Sequence, residues 1–177
     1  MWGLSLATLR WEAMPTLLCA RSHHACCTVR GALVVLGGTA PGGGNDRHTS
    51  PTSRVEMLLE GAGAFVKLPR LSCGAIAGAA AFAVDEEDSA QGQVFLIGGA
   101  GHDGASISSV QLVDLATGVC TLQADLLHER SYFAAARSPD GGIACAGDAD
   151  ELSTAVMYHP QCRGRWVRHG RGGSCPP

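Results

Sequence analysis

The sequence predicts an all-β fold built from repeated four-stranded antiparallel sheets. Three observations predict it. The chain is self-similar at a spacing of about 54 residues, each copy holds four short β-type runs between turn signals, and small residues are abundant. Of 177 residues, 26 are alanine and 24 glycine, while aromatics are only 5%. Such a chain packs backbones closely and turns often. It lacks the bulky leucine seam of a helix bundle.

Composition excludes several classes. With 46% apolar and 16% charged residues, the balance is the reverse of a disordered chain. The net charge of -3 provides no basic field for nucleic acid. The best apolar run, residues 31–38, is eight residues long, far short of the roughly 20 that a membrane helix needs. The apolar start, residues 1–9, is broken by Arg10 and Glu12 and lacks the basic first segment of a secretory signal. No nucleic-acid or membrane partner is expected, and the expected setting is cytoplasmic or nuclear.

The eight cysteines fit that setting. They form no C-x-x-C pair, and Cys26 and Cys27 are adjacent, so neither a zinc ribbon nor a redox motif is spelled out. Cys26 and Cys145 sit among apolar residues, where free cysteine acts as a small hydrophobe. The reading is a reducing compartment without a disulfide framework.

A shift of 109 aligns residues 6–38 with 115–147 without a gap, giving nine identities in 33 positions. Leu17, Leu18, Arg21, Ser22, Ala25 and Gly38 fall on Leu126, Leu127, Arg130, Ser131, Ala134 and Gly147. Half of that shift implies a middle copy. A shift of 54 takes Trp11 to Phe65 and Pro15 to Pro69, and a shift of 55 takes Val55 to Val110. Gly37 and Gly38 recur as Gly98 and Gly99, 61 residues on, with the excess absorbed by the acidic stretch around residues 85–88.

Each copy reads alike. A small-residue run (24–29, 75–84, 132–136) and a turn lead to an apolar run ending in glycine (32–38, 94–99, 143–147). A polar loop, an alternating strand (55–59, 110–115, 155–158) and an anchor follow, the anchors being Trp11, Phe65, Cys120 and Trp166. Four strands per ~50-residue unit is the signature of a propeller blade.

These motifs resemble the Kelch repeat. The resemblance rests on Arg21, Ser22, His23 and His24, the run 32–38, Ser53 to Glu56, the segment 65–69, and the matching pieces around Trp11, 94–99 and Trp166. It covers roughly residues 4–167 and is weakest in the third copy, where Ala146 replaces the first glycine and Cys120 the tryptophan. It implies a Kelch-type β-propeller of about three blades plus part of another, an incomplete ring. The units are 1–11 (end of a preceding blade), 12–65, 66–120 and 121–167 (degenerate), followed by a flexible Arg/Gly/Pro tail, 168–177. Since ~4–8 blades close a ring, a truncated product or a piece of a longer ring is expected, ahead of assembly with another chain. Gly37, Gly38, Gly98, Gly99, Trp11, Phe65 and Trp166 are then structural.

The resemblance also implies a protein-binding module, whose partner is a protein such as an acidic peptide or a ubiquitin ligase substrate. Carried over by motif position, Arg21, Ser22, Arg130 and Ser131 would line its cup, with Ala75 and Ile76 at that place in the middle copy. Asn45, Asp46, Arg47, His102 and Asp103 would add to it from the loops after the glycine pairs. Arginine suits such a cup, because its planar fork pairs with carboxylates at two points. The alternative is that Arg21 and Arg130 close a turn or pair locally. Adaptors with these repeats carry substrates to cullin-type ubiquitin ligases. Two other readings stay open: a Kelch-like propeller enzyme of the oxidase or isomerase type, and a non-functional truncated fragment.

Other motifs fail on context. Gly99, Gly101 and Gly104 spell G-x-G-x-x-G, but an alternating strand follows instead of a helix, so no dinucleotide site is expected. The glycines at 42–44 lack the Lys-Ser/Thr of a P-loop. His159, Cys162, His169 and Cys175 match no familiar zinc spacing, and the acids at 85–88 read as a solvated loop rather than a calcium site. Ser22 beside His23 and His24 lacks an acid in the same copy to orient a base. No catalytic residue, metal or cofactor is expected.

Overall fold

The computed structural model describes residues 1–41, 49–84, 92–139, 141–147, 155–159 and 165–168. Among these the fold is all-β, without helix. The chain opens with a hairpin, β1 (Trp2–Ser5) and β2 (Arg10–Ala13). The first four-stranded sheet contains β3 (Ala25–Val29), β4 (Ala32–Leu36), β7 (Val55–Leu58) and β8 (Val66–Leu68), in that spatial order. A small hairpin, β5 (Thr39–Pro41) with β6 (Thr49–Pro51), interrupts it where the sequence promised only a polar loop. The second sheet runs β9 (Ala80–Val84), β10 (Gln93–Ile97), β11 (Val110–Asp114), β12 (Cys120–Leu122). The third runs β13 (Ala134–Arg137), β14 (Ile143–Ala146), β15 (Ala155–His159), β16 (Arg165–Arg168). All pairings are antiparallel between consecutive strands of a sheet, and no described sheet closes on itself.

The strands form where alternation and turns demand. Arg30 (φ 49°) and Gly31 (φ 81°) make the tight β3–β4 turn with two positive φ angles, the geometry that matches strand twist. In β4 both faces are buried, because the sheets stack face to face. Val34 and Leu36 meet Val94, Leu96 and Val113 of the second sheet. Val35 faces the other way, onto Leu58 and Phe65. In β10 the same division holds: Val94 and Leu96 look toward the first sheet, while Ile97 packs on Ile143, Cys145, Val156 and Trp166 of the third. Each such side chain contributes roughly 1.5–3 kcal/mol by leaving water.

The fourth strand of the first sheet, β8, begins just after the unit boundary read at Phe65, and that of the second, β12, begins on Cys120 itself, so each sheet reaches past its expected boundary. Phe65 and Trp166 are buried, and Trp166 donates its indole N–H to the Ala124 carbonyl at 3.0 Å. Trp11 breaks the expectation: it is 65% exposed. Phe65 is covered by Val35, a residue of its own sheet's second strand, whereas the β1–β2 hairpin has no such strand. Cys26 also departs from its reading. It is exposed, because β3 turns one face to an open cleft, whereas Cys145 is fully buried.

Candidate functional site

The expected binding residues lie where the first strands begin, at the end of the sheets that carries the glycine pairs. Glycine is required there. Gly38 has φ 95°, and a Cβ on it would meet the Ser22 carbonyl oxygen at 2.6 Å. At Gly98, φ is 55° and a Cβ would stand 2.6 Å from the Arg130 carbonyl oxygen. Gly37 and Gly99 have positive φ too, with Ile76 or Ala77 atoms equally close. The close approach joins the sheets: the Gly38 N–H donates to the Ile76 carbonyl and the Gly99 N–H to the Arg130 carbonyl, both at 2.8 Å.

These bonds fix the register between copies. Ser22 pairs with Thr39 as Ala77 pairs with Ala100. The middle copy therefore places Ile76 and Ala77, not Ala75 and Ile76, opposite Arg21 and Ser22. One position further on stand His23, Gly78 and Tyr132, all in the left-handed region (φ 53°, 64° and 55°). A chain of hydrogen bonds links them, from the Gly78 N–H to the His23 carbonyl and from the Tyr132 N–H to the Gly78 carbonyl. The Tyr132 ring lies over Gly78, where a Cβ would meet it at 2.8 Å, and meets the His23 ring edge-on, centroids 5.1 Å apart.

The arginines do not face outward. The Arg21 side chain has no exposed surface; it pairs with Glu56 Oε1 at 2.6 Å and donates to the carbonyls of Arg54 (2.9 Å) and Gly37 (3.2 Å). Glu56 also accepts the N–H groups of Leu18 (2.8 Å) and Cys19 (3.2 Å). Burial pushes the Arg21 pKa down, against the opposing pull of the Glu56 charge. Arg130 is also fully buried; it donates to the Gly147 carbonyl at 2.9 Å and stands over the Phe133 ring. Both arginines close their own sheets, the local role left open in the sequence. Ser131 is buried against Ser106, their hydroxyls 2.8 Å apart.

What this end presents is different. Ser22, His23, His102 and Asp103 are exposed, as is Tyr132. Ser22 Oγ lies 2.9 Å from Thr39 Oγ1 and 3.2 Å from His23 Nδ1. Asp103 Oδ1 accepts the Ala105 N–H at 3.1 Å, closing the turn that the glycine motif of residues 99–104 forms; a strand follows it, not a helix. Asn45, Asp46 and Arg47 lie outside the described residues, as do the acids at 85–88 and Cys162, His169 and Cys175.

Below the His23–Tyr132 pair the first strands line a cleft of about 310 Å³, walled by His24, Cys26, Phe82 and Phe133 among small residues. Burial, followed by the Arg21 charge, lowers the His24 pKa, which keeps its ring neutral. Among the described residues no group of three or more His, Cys, Asp or Glu stands ready to hold a metal, and no helix is long and apolar enough to cross a membrane.

No protein-family model and no curated protein matches the chain. Among solved structures it is similar to that of YjhT, with a TM-score of 0.74 and 13% identity over 91% of this chain. The match covers 55% of that structure, so the chain spans about half its length. At this identity the likeness concerns the fold alone.

Proposed function

We propose that the chain is an arc of Kelch-type propeller blades serving as a protein-interaction module, with its partner bound at the glycine-pair end. The observation that carries the reading is the column of His23, Gly78 and Tyr132. All three positions need a left-handed backbone, which glycine adopts freely and other residues adopt at a cost of about 1 kcal/mol or more. The middle copy uses glycine; the outer copies hold an exposed imidazole and an exposed phenol in contact. Backbone strain kept beside solvent points to a use for the side chains. With Ser22 and Thr39 beside them, they make a small exposed face centred on a tyrosine, a residue type that protein interfaces favour. The buried arginines move the reading away from an acidic peptide clamped by Arg21 and Arg130.

The test is a capture experiment with His23→Gly and Tyr132→Gly, which keep the backbone conformation while removing the side chains. Both are expected to retain the wild-type Tm and lose the captured proteins, while Glu60→Ala, at the opposite end of the first sheet, keeps them. Unchanged capture by the double glycine variant would sink the proposal. Delivery of the partner to a cullin-type ubiquitin ligase is the finer form of this reading and rests on the Kelch resemblance; a captured set without any cullin component removes it.

A further inference from the structure

The segment joining the first two sheets is clamped onto the β11–β12 turn. The Ser72 N–H donates to the Gly118 carbonyl at 2.9 Å, and the Cys120 N–H donates to Ser72 Oγ at 2.9 Å. Gly118 has φ 74° and sits against Pro69 and Arg70 so closely that no Cβ fits. These contacts hold Cys73, the residue after Ser72, beside Cys120. The two side chains are thereby close enough to influence each other's ionisation, and Cys120 Sγ also lies 3.6 Å from the Gly118 carbonyl oxygen. Both sulfurs are reduced; Cys73 is exposed and Cys120 partly so.

We propose that Cys73 and Cys120 form a redox-responsive pair that hydrogen peroxide closes into a disulfide, stapling the linker between the first two sheets to the outer edge of the second. The neighbouring Cys73 thiol lowers the Cys120 pKa against the opposing effect of burial, helped by the Cys73 N–H and then by Ser72, while Cys120 and burial together raise that of Cys73. Cys120 is therefore the more acidic thiol of the pair and, once deprotonated, the attacking sulfur. It displaces one oxygen of the peroxide, becoming a sulfenic acid as the O–O bond breaks and water leaves. The Cys73 sulfur then attacks the sulfenic sulfur, forming the S–S bond and releasing a second water. Two thiols and one peroxide yield one disulfide and two waters, with two electrons passing from sulfur to oxygen. A dithiol reverses the reaction by thiol–disulfide exchange.

Mass spectrometry of the folded 177-residue chain after limited hydrogen peroxide and alkylation tests this. The expected product is a Cys73–Cys120 linked peptide, lighter by about 2 Da than the two free peptides, reversed by dithiothreitol and accompanied by a Tm rise of roughly 5–10 °C. In Cys73→Ser, Cys120 should stop at the sulfenic acid and be trapped by dimedone, without linking to another cysteine. In Ser72→Ala, Cys120 should oxidise about 3–10 times more slowly at pH 7. The proposal is overturned if other cysteine pairs link as readily, or if the chain in urea gives the same linked peptide in the same yield. Wild-type oxidation needs no variant, so a misfolded variant cannot shield the idea.

Discussion

Removing the Arg21 guanidinium should destabilise the first sheet severely and reveal whether this arginine serves the fold or a partner. In Arg21→Ala, Glu56 stays buried, at 2% exposure, with its charge uncompensated, and the Gly37 and Arg54 carbonyls lose their shared donor. Breaking a buried pair on one side costs about 3–5 kcal/mol. With a urea slope of ~2 kcal/mol/M, the unfolding midpoint should fall by about 2 M. Glu56→Gln should cost about as much, since it strands the arginine. Replacing both by methionine is no free apolar swap, because it leaves the Leu18 and Cys19 N–H groups and two carbonyls unpaired, worth about 1 kcal/mol or more apiece. The double methionine variant should therefore lose about 5 kcal/mol, well short of twice the ~4 kcal/mol cost of breaking the pair on one side. Arg21→Lys, which keeps the charge but not the fork, should fall between wild type and alanine. Urea denaturation followed by far-UV circular dichroism reads all four. If Arg21→Ala shifts the midpoint by less than about 0.5 M yet abolishes partner capture, the arginine is a ligand-binding residue and the buried-clamp reasoning is wrong.

Three further outcomes follow from the same geometry. Gly38→Ala should lose about 3 kcal/mol or more, because its Cβ meets the Ser22 carbonyl, whereas Gly61→Ala, with φ 71° but open space around it, should lose only about 1; paired thermal melts separate steric from backbone cost. His24 has a pKa lowered from 6.5, so the folded chain binds fewer protons than the unfolded one; its contribution is present above pH 6.5 and lost as pH falls through the folded value. His24→Gln should flatten that acid loss of stability, and urea midpoints at about pH 7.5 and about pH 5.5 measure it. Iodide should quench Trp2 and Trp11, which are 67% and 65% exposed, but not Trp166 at 5%. Trp166→Phe should abolish the protected emission, and a protected fraction that survives it would place Trp11 against a cover.

The repeat made the sheets legible because strand period and turn chemistry are local. The runs 32–38, 94–99 and 143–147 became β4, β10 and β14; Gly38 and Gly98 combine a positive φ with a 2.6 Å approach, whereas Gly147 has the positive φ (89°) but open space around it. Trp11 was misread because burial is not local: the motif is intact, but the strand that buries Phe65 in the first sheet has no counterpart behind β2. The two arginines were legible as equivalent but not as buried, since nothing in Arg-Ser announces that Glu56, 35 residues on, turns inward. The candidate face was missed for a subtler reason. Residues 75–77 are Ala, Ile and Ala, with no polar side chain to pin the copy, so the alignment slipped by one and set Ala77 where Gly78 belongs. One residue of slip exchanges the faces of a strand. With the register set by the Gly78–His23 and Tyr132–Gly78 hydrogen bonds, the column becomes one glycine flanked by two strained, exposed rings. On the proposed reading, the rings are what the outer copies keep in exchange for the easier glycine backbone of the middle one.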